Sequence, residues 1–238
     1  MAKKLKEYLL DMIYPKTCPL CGRIPDGKRS VCISCRRQFP VIRGPRCLKC
    51  SKPILNAEAE YCYDCMEKKH HYISGKALWI YDDRMRQSIA RFKYRGSLEY
   101  ADIYGEEMVK EHGNWIRSHG DVLVPVPLHK KKEKIRGYNQ AQILADAIGK
   151  RAGLPVNAEL LYRSRDTRPQ KELNDKERLK NLSDAFRVKR EKTCLPERVI
   201  LVDDIYTTGS TIEACTTVLQ KAGFSDIYFI SICIGKGF

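Results

Sequence analysis

The chain of 238 residues lacks any apolar run near the roughly 18 residues that a bilayer-spanning helix needs. Its N-terminal stretch, Met1–Tyr14, places lysines before a short apolar patch, but Asp11 interrupts this patch and no small-residue cleavage site follows. The pattern disfavours a signal peptide and favours a short amphipathic helix packed on the rest of the protein. We therefore expect a cytoplasmic protein with no membrane span.

Two further scarcities restrict the kinds of partner and of nucleotide site that the sequence allows. Acidic residues are few beside basic ones, 29 Asp and Glu against 44 Lys and Arg, which gives a formal net charge of +15. Such a charge favours anionic partners, either phosphorylated metabolites or nucleic acid, without choosing between them. The sequence also contains no G-x-x-x-x-G-K-[ST] loop, and this absence excludes a Walker-type nucleotide site.

The composition changes near residue 70 and predicts two domains, residues 1–70 and residues 71–238. In the second domain, apolar runs alternate with helical patterns, which indicates an α/β fold with a parallel sheet flanked by helices. The apolar runs are Ala77–Tyr81, Asp121–Val126, Leu160–Arg163, Arg198–Val202 and Ile227–Ile234. The helical patterns are Arg84–Lys93, Leu98–His112, Tyr138–Ala152, Glu177–Asp184 and Ser210–Ala222. Ligands of such sheets bind outside the carboxyl ends of the strands, so the chemistry is expected there.

The first domain contains eight of the eleven cysteines, arranged as four CxxC pairs. They are Cys18, Cys21, Cys32, Cys35, Cys47, Cys50, Cys62 and Cys65. Two CxxC turns supply the four sulfurs of a tetrahedral site, so the spacing predicts two structural zinc ions with no open position for a catalytic water. The simplest arrangement joins the first pair with the second and the third with the fourth, and an interleaved pairing is the alternative. A disulfide framework is disfavoured because no export signal accompanies the cysteines, and an iron–sulfur cluster is a further alternative.

Basic side chains lie between these cysteines and make the zinc module a candidate docking surface for nucleic acid or protein. They are Lys28, Arg29, Arg36, Arg37, Arg43 and Arg46. A solvated basic face is an equally good interpretation. Of the other cysteines, Cys215 falls in a helical pattern and Cys233 in an apolar run, so both are expected to be small buried hydrophobes.

The clearest chemical signal lies between Val199 and Thr211, where an apolar strand ends in Asp203 and Asp204 and a short turn leads into a helix. The turn and the start of the helix contain Thr207, Thr208, Gly209, Ser210 and Thr211. Backbone N–H groups at a helix N-terminus bind phosphate, and the hydroxyls add donors. The two acids can accept hydrogen bonds from the vicinal hydroxyls of a ribose and hold Mg²⁺ through water. A simple helix N-cap would explain one of these residues and leave the others unexplained.

This segment resembles the signature with which type I phosphoribosyltransferases bind 5-phosphoribosyl-1-pyrophosphate (PRPP) and Mg²⁺. The resemblance implies that the basic segment after the strand Asp121–Val126 is a loop that receives pyrophosphate. Its candidate residues are His129, Lys130, Lys131, Lys132 and Arg136. The resemblance also implies a mobile catalytic loop after Arg163, with Arg165, Thr167 and Gln170 as candidates, and a hood or entry segment formed by residues 71–118.

The motifs together resemble the ComF family, competence-associated proteins with an N-terminal double zinc ribbon and a phosphoribosyltransferase domain. The matching pieces are the CxxC pairs, Phe92–Gly96, Val124–Pro127, Arg136–Gln140, Thr167–Leu173, Arg178–Asn181 and Asp203–Thr211. The resemblance implies a role in DNA uptake or natural transformation, beside a helicase partner. The sequence leaves three functions open: transfer of a phosphoribosyl group to an unknown acceptor, sensing of PRPP without catalysis, and binding of single-stranded DNA or protein as an adaptor.

Overall fold

The computed structural model describes residues 16–27, 30–164, 184–189 and 197–236. Two short helices, α1 (Ile33–Arg36) and α2 (Tyr63–Glu67), lie in the cysteine-rich part. The elements that follow are β1 (Gly75–Ile80), α3 (Asp83–Tyr94), α4 (Tyr100–His119), β2 (Val122–Pro125), α5 (Lys130–Arg136), α6 (Gln140–Ala152), β3 (Leu161–Arg163), β4 (Phe186–Val188), β5 (Arg198–Tyr206), α7 (Ser210–Lys221) and β6 (Asp226–Ile234).

Four strands form a parallel sheet in the order β1-β6-β5-β2. The central strands β5 and β6 are almost continuously buried, as expected for strands that are covered on both faces. The carboxyl ends of β2 and β5 lie side by side, since Pro125 pairs with Val202 and the N–H of Val126 donates to the Val202 carbonyl at 2.9 Å. The segments that follow these two strands therefore start at the same edge of the sheet.

Alternate side chains of the strands enter two cores, one on each face of the sheet. On the first face, Ile200 and Val202 pack with apolar residues of α3, α4 and α6. On the second face, Val199 and Leu201 pack with α7. These two layers confirm the prediction of a parallel sheet flanked by helices.

The cysteine-rich part contributes to both cores. Cys18 and Leu20 belong to the first core, beside α3 and α4. Cys47, Cys50 and Cys62 belong to the second core, which also contains side chains of β5, β6 and α7. The ribbon residues therefore help to cover the sheet, although the domain boundary at residue 70 stays a prediction.

One predicted strand of the parallel sheet lies elsewhere. The run Leu160–Arg163 forms β3, which pairs with β4 in a separate two-stranded antiparallel sheet. The place beside β2 is taken by residues 155–157, because the Pro155 carbonyl accepts a hydrogen bond from the N–H of Leu123 at 2.9 Å. With this edge occupied, the run that follows turns away and pairs with β4.

The basic segment after β2, predicted as a loop, is helical from Lys130 to Arg136. Lysine and arginine are good helix formers, and Nδ1 of His129 accepts a hydrogen bond from the N–H of Lys131 at the start of α5. Helix α4 also continues to His119, beyond its predicted end at His112.

Several predictions fall on residues that the structure does not describe. They include the N-terminal amphipathic helix and almost all of the helix predicted over 177–184. Cys215 and Cys233 are fully buried, as predicted. Among the described helices, none has both the length and the apolar character needed to cross a membrane.

Candidate functional site

The segment after β5 surrounds a small cavity at the start of α7. The cavity has a volume of about 60 Å³ and is lined by Asp203 and by residues 205–212. Helix α7 begins at Ser210, after Gly209, whose φ of +79° lies in the left-handed region that glycine adopts without strain. Thr207 and Thr208 are exposed, and Oγ1 of Thr208 lies 2.9 Å from Oγ of Ser210. Since the first helical turn has N–H groups without intrahelical partners, the cavity offers backbone and hydroxyl donors to a phosphate.

Two buried carboxyl groups lie beside this cavity. Asp203 and Asp204 are 9% and 3% exposed, and the N–H of Asp204 donates to Oδ1 of Asp203 at 2.8 Å. Lys93, from the last turn of α3, forms an ion pair with Oδ2 of Asp204. Burial raises the pKa of Asp203 to about 6, against an opposing effect of Lys93. Burial also lowers the pKa of Lys93 to about 8, although Asp203 opposes this shift. The strand end thus holds carboxyl oxygens that suit hydroxyl donors or a divalent cation.

A basic cleft of about 570 Å³ adjoins the carboxyl groups, because Lys93 lines the cleft and also pairs with Asp204. Its basic lining residues are Lys93, Lys132, Arg136 and Arg163, and its aromatic ones are Tyr94 and Tyr138. Side chains of this kind suit a polyanionic ligand.

The five residues predicted to bind pyrophosphate differ in their position relative to this cleft. Lys132 and Arg136 line the cleft, one turn of α5 apart. Lys130 and Lys131 are exposed and lie outside the set of residues that line it. His129 caps α5 through its ring nitrogen. Successive residues of a helix point in different directions, so one helix face turns to the cleft.

The motifs Phe92–Gly96 and Arg136–Gln140 interlock at this cleft. The guanidinium of Arg136 lies 4.9 Å from the ring centre of Tyr94 and also donates to Oε1 of Gln140. The hydroxyl of Tyr138 donates to the Phe92 carbonyl. The two motifs therefore orient Arg136 from two sides.

Asn139 joins the same region to the sheet. Its Oδ1 accepts a hydrogen bond from the N–H of Ala141 at 3.0 Å and so caps α6. Its Nδ2 donates to the Val126 carbonyl at 3.1 Å, just past the end of β2. This buried amide fixes the start of α6 relative to the strand that leads into the site.

The eight cysteines of the ribbons form two groups of four, the first pair with the second and the third with the fourth. Within each group the Sγ atoms all lie within 4.8 Å of one another. Those of Cys21 and Cys32 are 3.7 Å apart, and those of Cys50 and Cys62 are 3.6 Å apart. A tetrahedral zinc ion with Zn–S bonds of about 2.3 Å places its sulfurs about 3.8 Å apart, so both groups fit zinc. The ten described cysteines are free, which disagrees with the disulfide alternative.

Comparison with known proteins agrees with this combination of features. A model of the double zinc ribbon domain matches residues 9–66. Competence protein ComFC of Bacillus subtilis is 29% identical over 205 residues, which cover 84% of this chain and 80% of that protein. ComFC of Streptococcus pneumoniae is 28% identical over 230 residues, or 90% of this chain and 98% of that protein. The chain is a homologue of the ComF competence proteins. A further relative of this ComF homologue is the DNA utilization protein YhgH of Escherichia coli, 26% identical over 92% of the chain and 97% of that protein.

Two solved structures are similar to part of the ComF homologue. One is an adenine phosphoribosyltransferase from Thermoanaerobacter pseudethanolicus, with a TM-score of 0.32 and 13% identity over 59% of this chain and 81% of that chain. The other is a purine phosphoribosyltransferase from Pyrococcus horikoshii, with a TM-score of 0.30 and 15% identity over 59% of this chain and 87% of that chain.

Lys93 is a site residue that the sequence analysis did not assign. The signal was present, since Lys93 lies inside the motif Phe92–Gly96, but nothing in the sequence connects it to Asp204 across more than a hundred intervening residues. The predicted catalytic residues Arg165, Thr167 and Gln170 lie outside the described residues.

Proposed function

We propose that this ComF homologue binds PRPP together with Mg²⁺ at the carboxyl ends of β2 and β5 and acts in DNA uptake. One observation carries the proposal: the ion pair between Lys93 and Asp204 joins a phosphate-sized cavity, a buried carboxyl pair and a basic cleft in a continuous series. PRPP presents a phosphate, a ribose diol and a pyrophosphate in that order, and each part meets groups of matching chemistry. The names of the competence relatives support the cellular role.

Each part of the ligand has a proposed set of contacts. The backbone N–H groups and hydroxyls of residues 207–211 hold the 5′-phosphate. Asp203 and Asp204 accept hydrogen bonds from the ribose hydroxyls and hold Mg²⁺ through its water ligands. Lys132 and Arg136 receive the pyrophosphate, and Arg136 is already oriented by Tyr94. The segment with Arg165, Thr167 and Gln170 is proposed to close over the bound pyrophosphate.

Transfer chemistry at this site would need no nucleophile from the protein. An acceptor would attack C1 of the ribose while the bond from C1 to the pyrophosphate oxygen breaks and its electron pair leaves with pyrophosphate. Positive charge would develop on the ribose ring, and negative charge on the leaving group beside Lys132 and Arg136. Catalysis would then consist of positioning and electrostatic stabilisation of the leaving group.

Calorimetric titration of the zinc-loaded protein with PRPP and Mg²⁺ tests the ligand. We expect binding by the wild type and at least a tenfold loss in the double variant Asp203→Asn/Asp204→Asn. The matched control is Asp83→Asn/Asp102→Asn, which removes the same charge from side chains that are 83% and 67% exposed. Full affinity in the Asp203/Asp204 variant, or no binding by the wild type, would contradict the proposal. If the wild type binds, release of pyrophosphate with nucleobases or ammonia separates a transferase from a sensor.

A second candidate function is an adaptor that contacts single-stranded DNA or a helicase through the ribbons. The name of the DNA utilization relative and the net charge of +15 favour it. Arg36 and Arg46 already lie 3.2 and 3.9 Å from Glu107 and Glu111, so the exposed Arg37 and Arg43 are the better candidates.

Binding of a labelled oligonucleotide at several salt concentrations tests this adaptor. Arg37→Gln/Arg43→Gln should lower the slope of log affinity against log salt by about 1.4, the value for two lost contacts to a single strand. Lys150→Gln/Lys221→Gln removes two exposed lysines from helices α6 and α7 and serves as the control. Equal slopes in the two variants would argue against the ribbon surface, and pull-down with a helicase tests the protein partner.

A further inference from the structure

Tyr206 is the last residue of β5. It lies between the phosphate-binding segment 207–211 and the second zinc group, which consists of Cys47, Cys50, Cys62 and Cys65. Tyr206 is 2% exposed, and its ring stacks on Phe229 with centres 4.6 Å apart and planes 7° from parallel. Its hydroxyl lies 2.7 Å from the hydroxyl of Tyr72, which is itself fully buried. These contacts hold the tyrosine ring in one position.

The second zinc group lies on one side of this tyrosine. Cys47, Cys50 and Cys62 share a core with Tyr72 and Tyr206. Lys52 follows the second of these cysteines, is 3% exposed and points its Nζ at the Tyr206 ring, 5.9 Å from the ring centre. The same Nζ forms an ion pair with Asp64, which lies between Cys62 and Cys65. The tyrosine therefore contacts a segment whose path depends on the four cysteines.

The phosphate-binding segment lies on the other side. A Cβ added at Gly209 would come within 2.4 Å of Oη of Tyr206, so this hydroxyl lies directly against the backbone of the turn. Gly209 is also the residue that precedes the first turn of α7. The Tyr206 hydroxyl thus supports the turn from which the phosphate donors extend.

The first zinc group, which consists of Cys18, Cys21, Cys32 and Cys35, contacts helices α3 and α4 instead. The Pro19 carbonyl accepts a hydrogen bond from Arg91 of α3 at 2.8 Å, and the Cys18 carbonyl accepts one from the hydroxyl of Tyr100 in α4 at 3.3 Å. Cys18 also belongs to the core on the opposite face of the sheet. The two groups of four cysteines therefore support different parts of the molecule.

We propose that Tyr206 is a positioning residue through which the second zinc group, and not the first, holds residues 207–211 in the geometry that binds phosphate. The second zinc ribbon would then shape the ligand site, in addition to any role of the ribbons as a docking surface for DNA or protein. Only the identity of the ligand rests on the proposed function, since the mechanical connection exists without it.

Hydrogen exchange of the peptide covering residues 206–213, measured by mass spectrometry on the full-length zinc-loaded protein without ligand, tests the connection. Tyr206→Phe keeps the ring and removes the hydroxyl. In this variant we expect the amides of residues 206–213 to exchange roughly fivefold faster, because one buried hydrogen bond is lost. The variant should keep both zinc ions. The control is Tyr104→Phe, which removes an equally buried hydroxyl, 2.6 Å from Oγ of Ser88, from the other face of the sheet. Unchanged loop exchange in Tyr206→Phe, or the same increase in Tyr104→Phe, would overturn the proposal.

A pair of cysteine variants tests the difference between the zinc groups. Cys65→Ser should increase exchange at 206–213 by tenfold or more, whereas Cys21→Ser should leave this peptide unchanged, and equal effects would contradict the assignment. PRPP titration of the same variants keeps the two proposals distinct. Loop exchange that responds to Cys65→Ser and Tyr206→Phe in a protein that does not bind PRPP would refute the proposed ligand and leave the positioning role standing.

Discussion

Replacement of Gly209 by alanine is the most direct test of how the proposed phosphate-binding turn is supported. The φ of +79° places this residue in the left-handed region, where a Cβ costs about 1–2 kcal/mol. The new Cβ would also lie 2.4 Å from Oη and 2.8 Å from Cζ of Tyr206, too close for any real contact. Because Tyr206 is held by Tyr72 at 2.7 Å and by stacking on Phe229, the ring cannot withdraw freely. Overpacking of this kind costs about 1–3 kcal/mol, so we expect Gly209→Ala to lose about 2–5 kcal/mol of unfolding free energy.

Urea denaturation of the zinc-loaded protein, followed by PRPP titration, measures both consequences. The matched control is Gly153→Ala at the end of α6, where φ is +75° and no described atom lies within 4 Å of the added Cβ. This control carries only the backbone cost of about 1–2 kcal/mol. We expect Gly209→Ala to weaken PRPP binding at least tenfold and Gly153→Ala to leave it unchanged.

Equal losses of unfolding free energy in the two alanine variants would refute the reasoning. Such a result would mean that the Tyr206 ring moves aside without cost and does not brace the turn. Normal PRPP affinity in a destabilised Gly209→Ala protein would separate stability from ligand binding and would also contradict the expected role of the turn.

Three further predictions concern the carboxyl pair and the zinc groups. Lys93→Met should lose about 3 kcal/mol in urea denaturation, because it leaves Asp204 buried without its cation, whereas Arg95→Met, at an exposed position nearby, should change little. The pKa of Asp203 is about 6 in the folded protein, above its ordinary value of 3.8, so the protonated carboxyl contributes fully to stability below that ordinary value, and this contribution is lost as pH rises through about 6. Thermal unfolding should therefore show Asp203→Asn gaining stability relative to the wild type between about pH 4 and pH 7. Elemental analysis should find two zinc ions per chain, and a strong chelator should remove near-ultraviolet circular dichroism, because structural zinc contributes about 10–16 kcal/mol.

Ion pairs between the zinc module and helix α4 change how the positive charge of this protein is interpreted. Six basic side chains of the zinc module were candidates for one docking surface, but Arg36 and Arg46 pair with glutamates of α4. Part of the basic surface therefore pairs with α4, through Arg36 beside Cys35 of the first group and Arg46 beside Cys47 of the second. Among the described residues, the exposed Arg37 and Arg43 remain candidates for an external partner, whereas Lys28 and Arg29 lie outside the described residues.

Local patterns in the sequence determined the elements whose chemistry depends on near neighbours. A CxxC turn presents two sulfurs wherever it occurs, so four such pairs predicted two zinc groups in the arrangement that the structure confirms. An apolar strand followed by two acids and a hydroxyl-rich turn likewise predicted that α7 begins at Ser210, although β5 continues beyond its predicted end, through both acids, to Tyr206. These features depend on backbone geometry within a few residues, which a single sequence records directly.

Only the tertiary structure decided which distant residues complete the site. The pairing of Lys93 with Asp204, the stacking of Arg136 on Tyr94 and the contact of Tyr206 with the turn at Gly209 depend on strand order and helix packing. Strand order itself was misjudged for Leu160–Arg163, because residues 155–157 occupy the edge of β2. The physical reason is that contacts between residues far apart in the chain depend on how whole elements bury their apolar faces. No local pattern of residues encodes that outcome.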